Sequence, residues 1–206
     1  MAIFRQRILF VATLAAAGCA TQALPSGPLA PMTLTSADGS TVALDELWRT
    51  RSATVLVFWS AECPCVRRYQ ERTDGLLDHY PADQVRVLGI SSNAGESFAD
   101  VLRVAKQRGV RIPIFRDESG QVAESVGAHT TPTAVVIDGS GKIRFRGWID
   151  NERLPGDPDR QPWLDHAVVG VLEHRDDFAP QVPIFGCAIT RSLFGSSHCT
   201  SCNEHN

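Results

Sequence analysis

Two thiols separated by one proline, Cys63-Pro64-Cys65, directly follow the apolar run 55–59. That run is mostly β-branched or aromatic, which suits a strand buried on both faces of a sheet. Past Cys65 the period changes. Val66, Tyr69, Thr73, Leu76, Leu77 and Tyr80 recur at helical spacing, and Pro64 is suited to the first helical position. Cys63 therefore stands at a strand-to-helix junction, where unpaired backbone N–H groups and the positive end of the helix dipole favour thiolate over thiol. Arg67 and Arg68 act in the same direction and Glu62 against it, but exposed charges are screened and the helix end is the larger effect. Cys63 is the candidate nucleophile and the thiol expected to alkylate fastest. A disulfide from Cys63 to Cys65 would close a small strained ring that is easily reduced.

Four more cysteines complete the set: Cys19, Cys187, Cys199 and Cys202. Arg5 and Arg7, the apolar residues 8–17 and the small residues Ala16-Ala17-Gly18 read as an export signal over 1–18, too short an apolar run to span a bilayer. In an oxidising compartment the five cysteines after Cys19 cannot all pair within the chain, which points to redox or metal chemistry rather than a purely structural disulfide framework. The C-terminal His198-Cys199-Thr200-Ser201-Cys202-Asn203-Glu204-His205 offers four nitrogen and sulfur ligands for Zn(II) or Cu(I), or a local Cys199–Cys202 disulfide. Asn203 after Cys202 removes the covalent haem motif.

The elements that must hold Cys63 follow from the rest of the 206 residues, 43% of them hydrophobic. A net charge of −3 and a pI near 6.1 leave no electrostatic footprint for nucleic acid. Residues 19–31, with three prolines and no charge, read as a linker. A hairpin turning at 37–40 leads to a helical turn at 45–48. Strands are expected at 85–90, 112–115, 134–137 and 142–148, and helices at 96–108, 121–126 and 163–174, with Gly109 as a left-handed cap. Strand, helix, strand, helix implies parallel pairing with crossover helices. The domain is expected to span 32–175, followed by a cysteine-bearing tail over 176–206.

Phe58-Trp59 followed by Cys63-Pro64 resembles the thioredoxin-like superfamily, in which such a segment ends the central strand and opens the first long helix. Here Cys65 comes one residue earlier than the usual second cysteine, and Val66 takes the expected place. The resemblance implies an α/β fold with a central mixed sheet flanked by helices. It also implies a cis bond at Thr131-Pro132, beside the cysteine, that offers a backbone edge to extended substrates, with Thr131, Pro132 and Trp59 bordering them. Cys63-Pro64 with a tyrosine soon after, Thr131-Pro132, Arg146-Gly147-Trp148-Ile149-Asp150 and Phe185-Gly186-Cys187-Ala188-Ile189 are together similar to an exported, peroxiredoxin-like redoxin subgroup of AhpC/TSA type, over nearly all of 32–194. This subgroup implies a Cys63–Cys187 disulfide that brings the tail back over the site, leaving Cys65 as a second resolving thiol or a metal ligand.

The activity expected is thiol-disulfide exchange with protein partners through Cys63, by a monomer that requires no cofactor. Peroxide reduction is the alternative within the class, although Ser60 and Leu56 stand where peroxiredoxins place threonine and proline. From a different class, His129 is similar in placement to a ligand of Sco-type copper chaperones, giving Cys63, Cys65 and His129 as a Cu(I) set. Ala-Ala-Gly-Cys at 16–19 resembles a bacterial lipobox, so Cys19 is expected to carry a lipid anchor in the cell envelope, and Ala20 directs it to the outer membrane, periplasmic face.

Overall fold

The computed structural model of the protein describes residues 23–152 and 156–191. Thr33–Thr35 (β1) and Thr41–Ala43 (β2) form the expected hairpin, and Leu44–Arg49 (α1) follows at once. Asp38 holds the turn. Hydrogen bonds from Ser36 and Ser40 pull its carboxyl down to about 2. Ala53–Phe58 (β3), Pro64–His79 (α2), Val85–Ser91 (β4), Phe98–Arg108 (α3) and Ile114–Arg116 (β5) make two consecutive crossovers, and β3, β4 and β5 run parallel as that pattern requires. Gln121–Val126 (α4), Thr130–Thr131 (β6), Ala134–Asp138 (β7), Ile143–Gly147 (β8), Trp163–Leu172 (α5) and Cys187–Ala188 (β9) complete the order.

The main sheet is mixed, ordered β2-β1-β5-β4-β3-β7-β8, with β6 and β9 forming a separate pair. β3 lies inside the sheet between β4 and β7, and all six of its residues are buried. Its alternate side chains feed two cores, as a pleated strand must. Leu56 and Phe58 join Leu44, Trp48, Val122 and Val126 on one face, while Val55 and Val57 join Tyr69, Leu76, Phe145, Leu164 and Val168 on the other. A third cluster, at the carboxyl end of β3, gathers Trp59, Ala61, Cys63, Cys65 and Val66 against Val101 and Ala105 of α3.

Several boundaries differ from expectation for local reasons. α3 starts at Phe98 because Ser97 caps it, its hydroxyl accepting from the Asp100 amide at 3.1 Å. It ends at Gly109 in the expected left-handed conformation, φ 67°. β5 starts after Pro113, which has no N–H to give a ladder. The expected linker is bound at its end: Leu29 donates its amide to Gly141 at 2.9 Å and is buried in the core.

The domain does not stop at 175. The amide of Arg146 donates to Pro180 at 3.0 Å, Gln181 bridges Arg146, Val182 is buried beside Phe145, and Ile189 is buried with the α4 core. Apolar side chains at 178, 182 and 189 account for this, since each finds a pocket on the body of the fold. No helix among the described residues is long and apolar enough to cross a membrane.

Candidate active site

Cys63 caps the N-terminus of α2 and Pro64 opens the helix, as the spacing predicts. The backbone before it is fixed from both sides: Phe58 donates its amide to Thr133 at 2.8 Å and Trp59 to Ile90 at 2.8 Å. The Thr131–Pro132 peptide is cis. The carbonyl of Thr131 accepts from the Cys63 thiol at 3.1 Å, so the loop after α4 and the start of α2 meet at the sulfur.

β9 lies antiparallel to β6, with Cys187 opposite Thr131. The sulfurs of Cys63, Cys65 and Cys187 all lie within 4.8 Å of one another. Cys65 is disulfide-bonded, whereas Cys63 is a free thiol. A sulfur already in a disulfide is not a thiolate ligand, so the three sulfurs do not fit a Cu(I) or Zn(II) site in this state. His129 does not join them. Its side chain is exposed and its carbonyl accepts from Ile189 at 2.8 Å, so the histidine expected as a Cu(I) ligand instead supplies backbone to the tail. Cys19, Cys199, Cys202 and the two terminal histidines lie outside the described residues.

Cys63 is only 1% exposed. Fast alkylation, expected from the helix end alone, requires an access that this arrangement does not offer.

Two charged side chains at the site were not singled out from the sequence. Glu96 accepts from the Ser60 hydroxyl at 2.7 Å and the Glu62 amide at 3.1 Å, which shapes the turn between β3 and Cys63. Arg108, at the end of α3, donates to the Ala61 carbonyl at 2.7 Å and lies over the Trp59 ring at 6.0 Å. Burial and the like charge of Arg67 lower its guanidinium from the usual value, while Cys63 and Glu96 act the other way. Both residues come from a separate helix and its leading loop, and no local pattern links them to residues 60–63.

The other side of the site is aromatic. Trp148 sits between Tyr69 and Phe185, with ring centroids 5.4 and 5.2 Å away. Tyr69 donates its hydroxyl to the Glu152 carbonyl at 3.0 Å. Asp150, fully buried, accepts from Arg72 and Arg160 at 2.9 Å each, and Arg72 also pairs with Glu152. This network fastens α2 to the segment after β8, and so sets where Trp148 stands relative to Cys63.

Burial, and then the charge of Asp150, push the Tyr69 hydroxyl up to about 12. The folded state therefore holds that proton above the unfolded value near 10. Its contribution to stability is complete below pH 10 and is lost as pH rises toward about 12. Stability measured by denaturant at successive pH values is expected to fall through that window, and Tyr69→Phe to flatten the fall. An equally steep fall in the Phe variant would remove Tyr69 from the account.

The model of the AhpC/TSA family matches residues 26–146. Thiol-disulfide oxidoreductase ResA of Geobacillus thermodenitrificans is 30% identical over 43% of this chain and 50% of its own length. The chain spans about half the length of the curated relatives it matches. Among solved structures, a hypothetical protein of Sinorhizobium meliloti 1021 superposes with a TM-score of 0.71 at 28% identity, over 84% of this chain and 98% of that one. A putative thiol:disulfide interchange protein DsbE of Chlorobium tepidum shares the thioredoxin-like fold, with a TM-score of 0.58 at 22% identity over 73% of this chain and 99% of that one.

Proposed function

This chain belongs to the AhpC/TSA family, and from that premise we propose that it is a thiol-disulfide oxidoreductase acting on protein thiols and disulfides in the cell envelope through Cys63. The observation that carries the reading is the Cys63 sulfur at the head of α2, hydrogen-bonded to Thr131 and within 4.8 Å of Cys187.

Written in the reducing direction, the Cys63 thiolate attacks one sulfur of a substrate disulfide. A Cys63–substrate disulfide forms and the other substrate sulfur leaves as a thiolate. Cys187, as thiolate, then attacks Cys63, forming Cys63–Cys187 and releasing the second substrate thiol. A dithiol reductant restores both cysteines and is itself oxidised to a disulfide. Closing 4.8 Å or less to the roughly 2.05 Å of a bond needs a short movement of the Cys187 strand. The same steps in reverse oxidise a substrate dithiol.

Thr131, Pro132 and Trp59 frame the sulfur, all three buried, and Cys65 stands by in its own disulfide as a second resolving group once reduced. The chemistry uses no metal or organic cofactor. The lipobox-like 16–19 favours an anchor at Cys19, on the periplasmic face of the outer membrane.

The test is catalysed reduction of a model protein disulfide by the purified protein with a low-mass dithiol, made from both wild type and Cys19→Ala. Turnover above the uncatalysed rate is expected in both, with wild type recovered from membranes and Cys19→Ala from the soluble fraction. Background turnover by both would overturn the activity, and an unchanged fractionation would overturn the anchor.

A further inference from the structure

Three sulfurs meet at the head of α2 in two different redox states. Cys65 is bonded in a disulfide, while Cys63 and Cys187 carry thiols, and the three sulfur atoms all lie within 4.8 Å of one another. The chain has six cysteines, so the sulfur joined to Cys65 belongs to one outside the described residues. A disulfide therefore stands within reach of two thiols that belong to a different pair.

The meeting is built from two directions. Cys65 follows Pro64 in the first turn of α2 and packs with Trp59, Ala61 and Val66 against Val101 and Ala105 of α3. Cys187 joins the same cluster from β9, because Gly186 lets that segment cross Thr131: its φ is 138°, and a Cβ there would overlap the Thr131 carbonyl oxygen. Cys63 and Cys65 are each 1% exposed, so an external dithiol meets a covered Cys63. A sulfur already inside the cluster needs no path.

We propose that Cys65 is a relay, through which reducing equivalents pass from a second cysteine pair of the chain to Cys63 and Cys187. This deepens the reading of Cys63 as the exchanging thiol and rests on it. With Cys63–Cys187 formed by turnover and Cys65 reduced, the Cys65 thiolate attacks the Cys187 sulfur. A Cys65–Cys187 bond forms and Cys63 leaves as thiolate, its charge received by the open N–H groups at the helix end. Attack on Cys63 instead would close the strained ring between neighbours one residue apart. The thiolate of the cysteine that partners Cys65 then attacks Cys65, re-forming their disulfide and releasing Cys187 as thiolate. Two electrons have moved: Cys63 and Cys187 are reduced, and Cys65 and its partner are oxidised. The structure holds that end state. An external dithiol then reduces the Cys65 disulfide, becoming a disulfide itself.

The experiment uses the full chain, oxidised with excess diamide, which takes two electrons from each thiol pair and becomes a hydrazine. After diamide is removed, one equivalent of dithiothreitol is added, and samples are quenched with acid for peptide mass spectrometry without reduction. Wild type is expected to lose the Cys63–Cys187 bond and to finish with Cys65 still bonded. In Cys65→Ser that bond is expected to persist over the same interval, and Cys65→Ala, an apolar side chain in an apolar cluster, repeats the measurement should the serine disturb folding. Loss of the Cys63–Cys187 bond at equal rates in wild type and the variants would overturn the relay, as would a wild type that finishes with Cys65 reduced and Cys63–Cys187 intact. If the transfer proceeds but a model protein disulfide does not oxidise Cys63, the activity falls and the relay stands.

Discussion

Cys63→Ser is expected to bring disulfide turnover to the uncatalysed level, a loss of more than about a thousandfold, because no other group among the described residues occupies the head of α2. A hydroxyl at that position keeps the shape and the donor to Thr131 but does not form a disulfide. Cys187→Ser is expected to behave differently. It leaves the first attack intact and removes the sulfur that would release the substrate, so Cys63–substrate disulfides should accumulate and be visible on non-reducing gels. His129→Ala should leave turnover close to wild type, since its contact with the tail is through the backbone. If Cys187→Ser turns over as wild type does and traps nothing, resolution belongs to Cys65 or to an external thiol.

Phe145→Ala is expected to be the most damaging of the core truncations on the α5 face. Phe145 is fully buried on β8, among side chains from α2, α5 and the tail residue Val182. Removing a buried phenyl ring loses its transfer free energy and leaves a cavity that its neighbours fill only in part, together about 4 kcal/mol. In a chain of this size the melting temperature should fall by roughly 8–16 °C. Calorimetry on the variant checks this. A fall of only a degree or two would mean that α5 and the tail close over the gap.

What could be read from the sequence is what short-range pattern controls. The strand before Cys63, the helix after it, Gly109 as a cap and α4 at 121–126 all follow from apolar period and end signals. β6 and β9 carry no such signal. Each is two residues long, and they pair across 56 positions because Gly186 lets one backbone pass over another. The glycine was visible as part of a motif, but the carbonyl it had to clear was not.

His129 shows the opposite failure. The resemblance set this histidine beside Cys63 and Cys65, but the three sulfurs that cluster are those of Cys63, Cys65 and Cys187, while residue 129 is exposed and its carbonyl accepts from Ile189 of the tail. Glu96 and Arg108 were legible only as helix surroundings. Their meeting with residues 60–62 depends on how α3 lies across α2, which no local period encodes.

The segment 180–182 beside β8 has a meaning outside the chemistry. β8 is the last strand of the main sheet, and its outer row of amides and carbonyls would otherwise be open to a second molecule. Pro180 and Val182 take up the amide and carbonyl of Arg146 on that side. The proline has no amide of its own to offer a neighbour in turn. The tail thus works as a guard against intermolecular sheet growth, and a shortened chain ending at 175 would carry an unprotected border that invites aggregation.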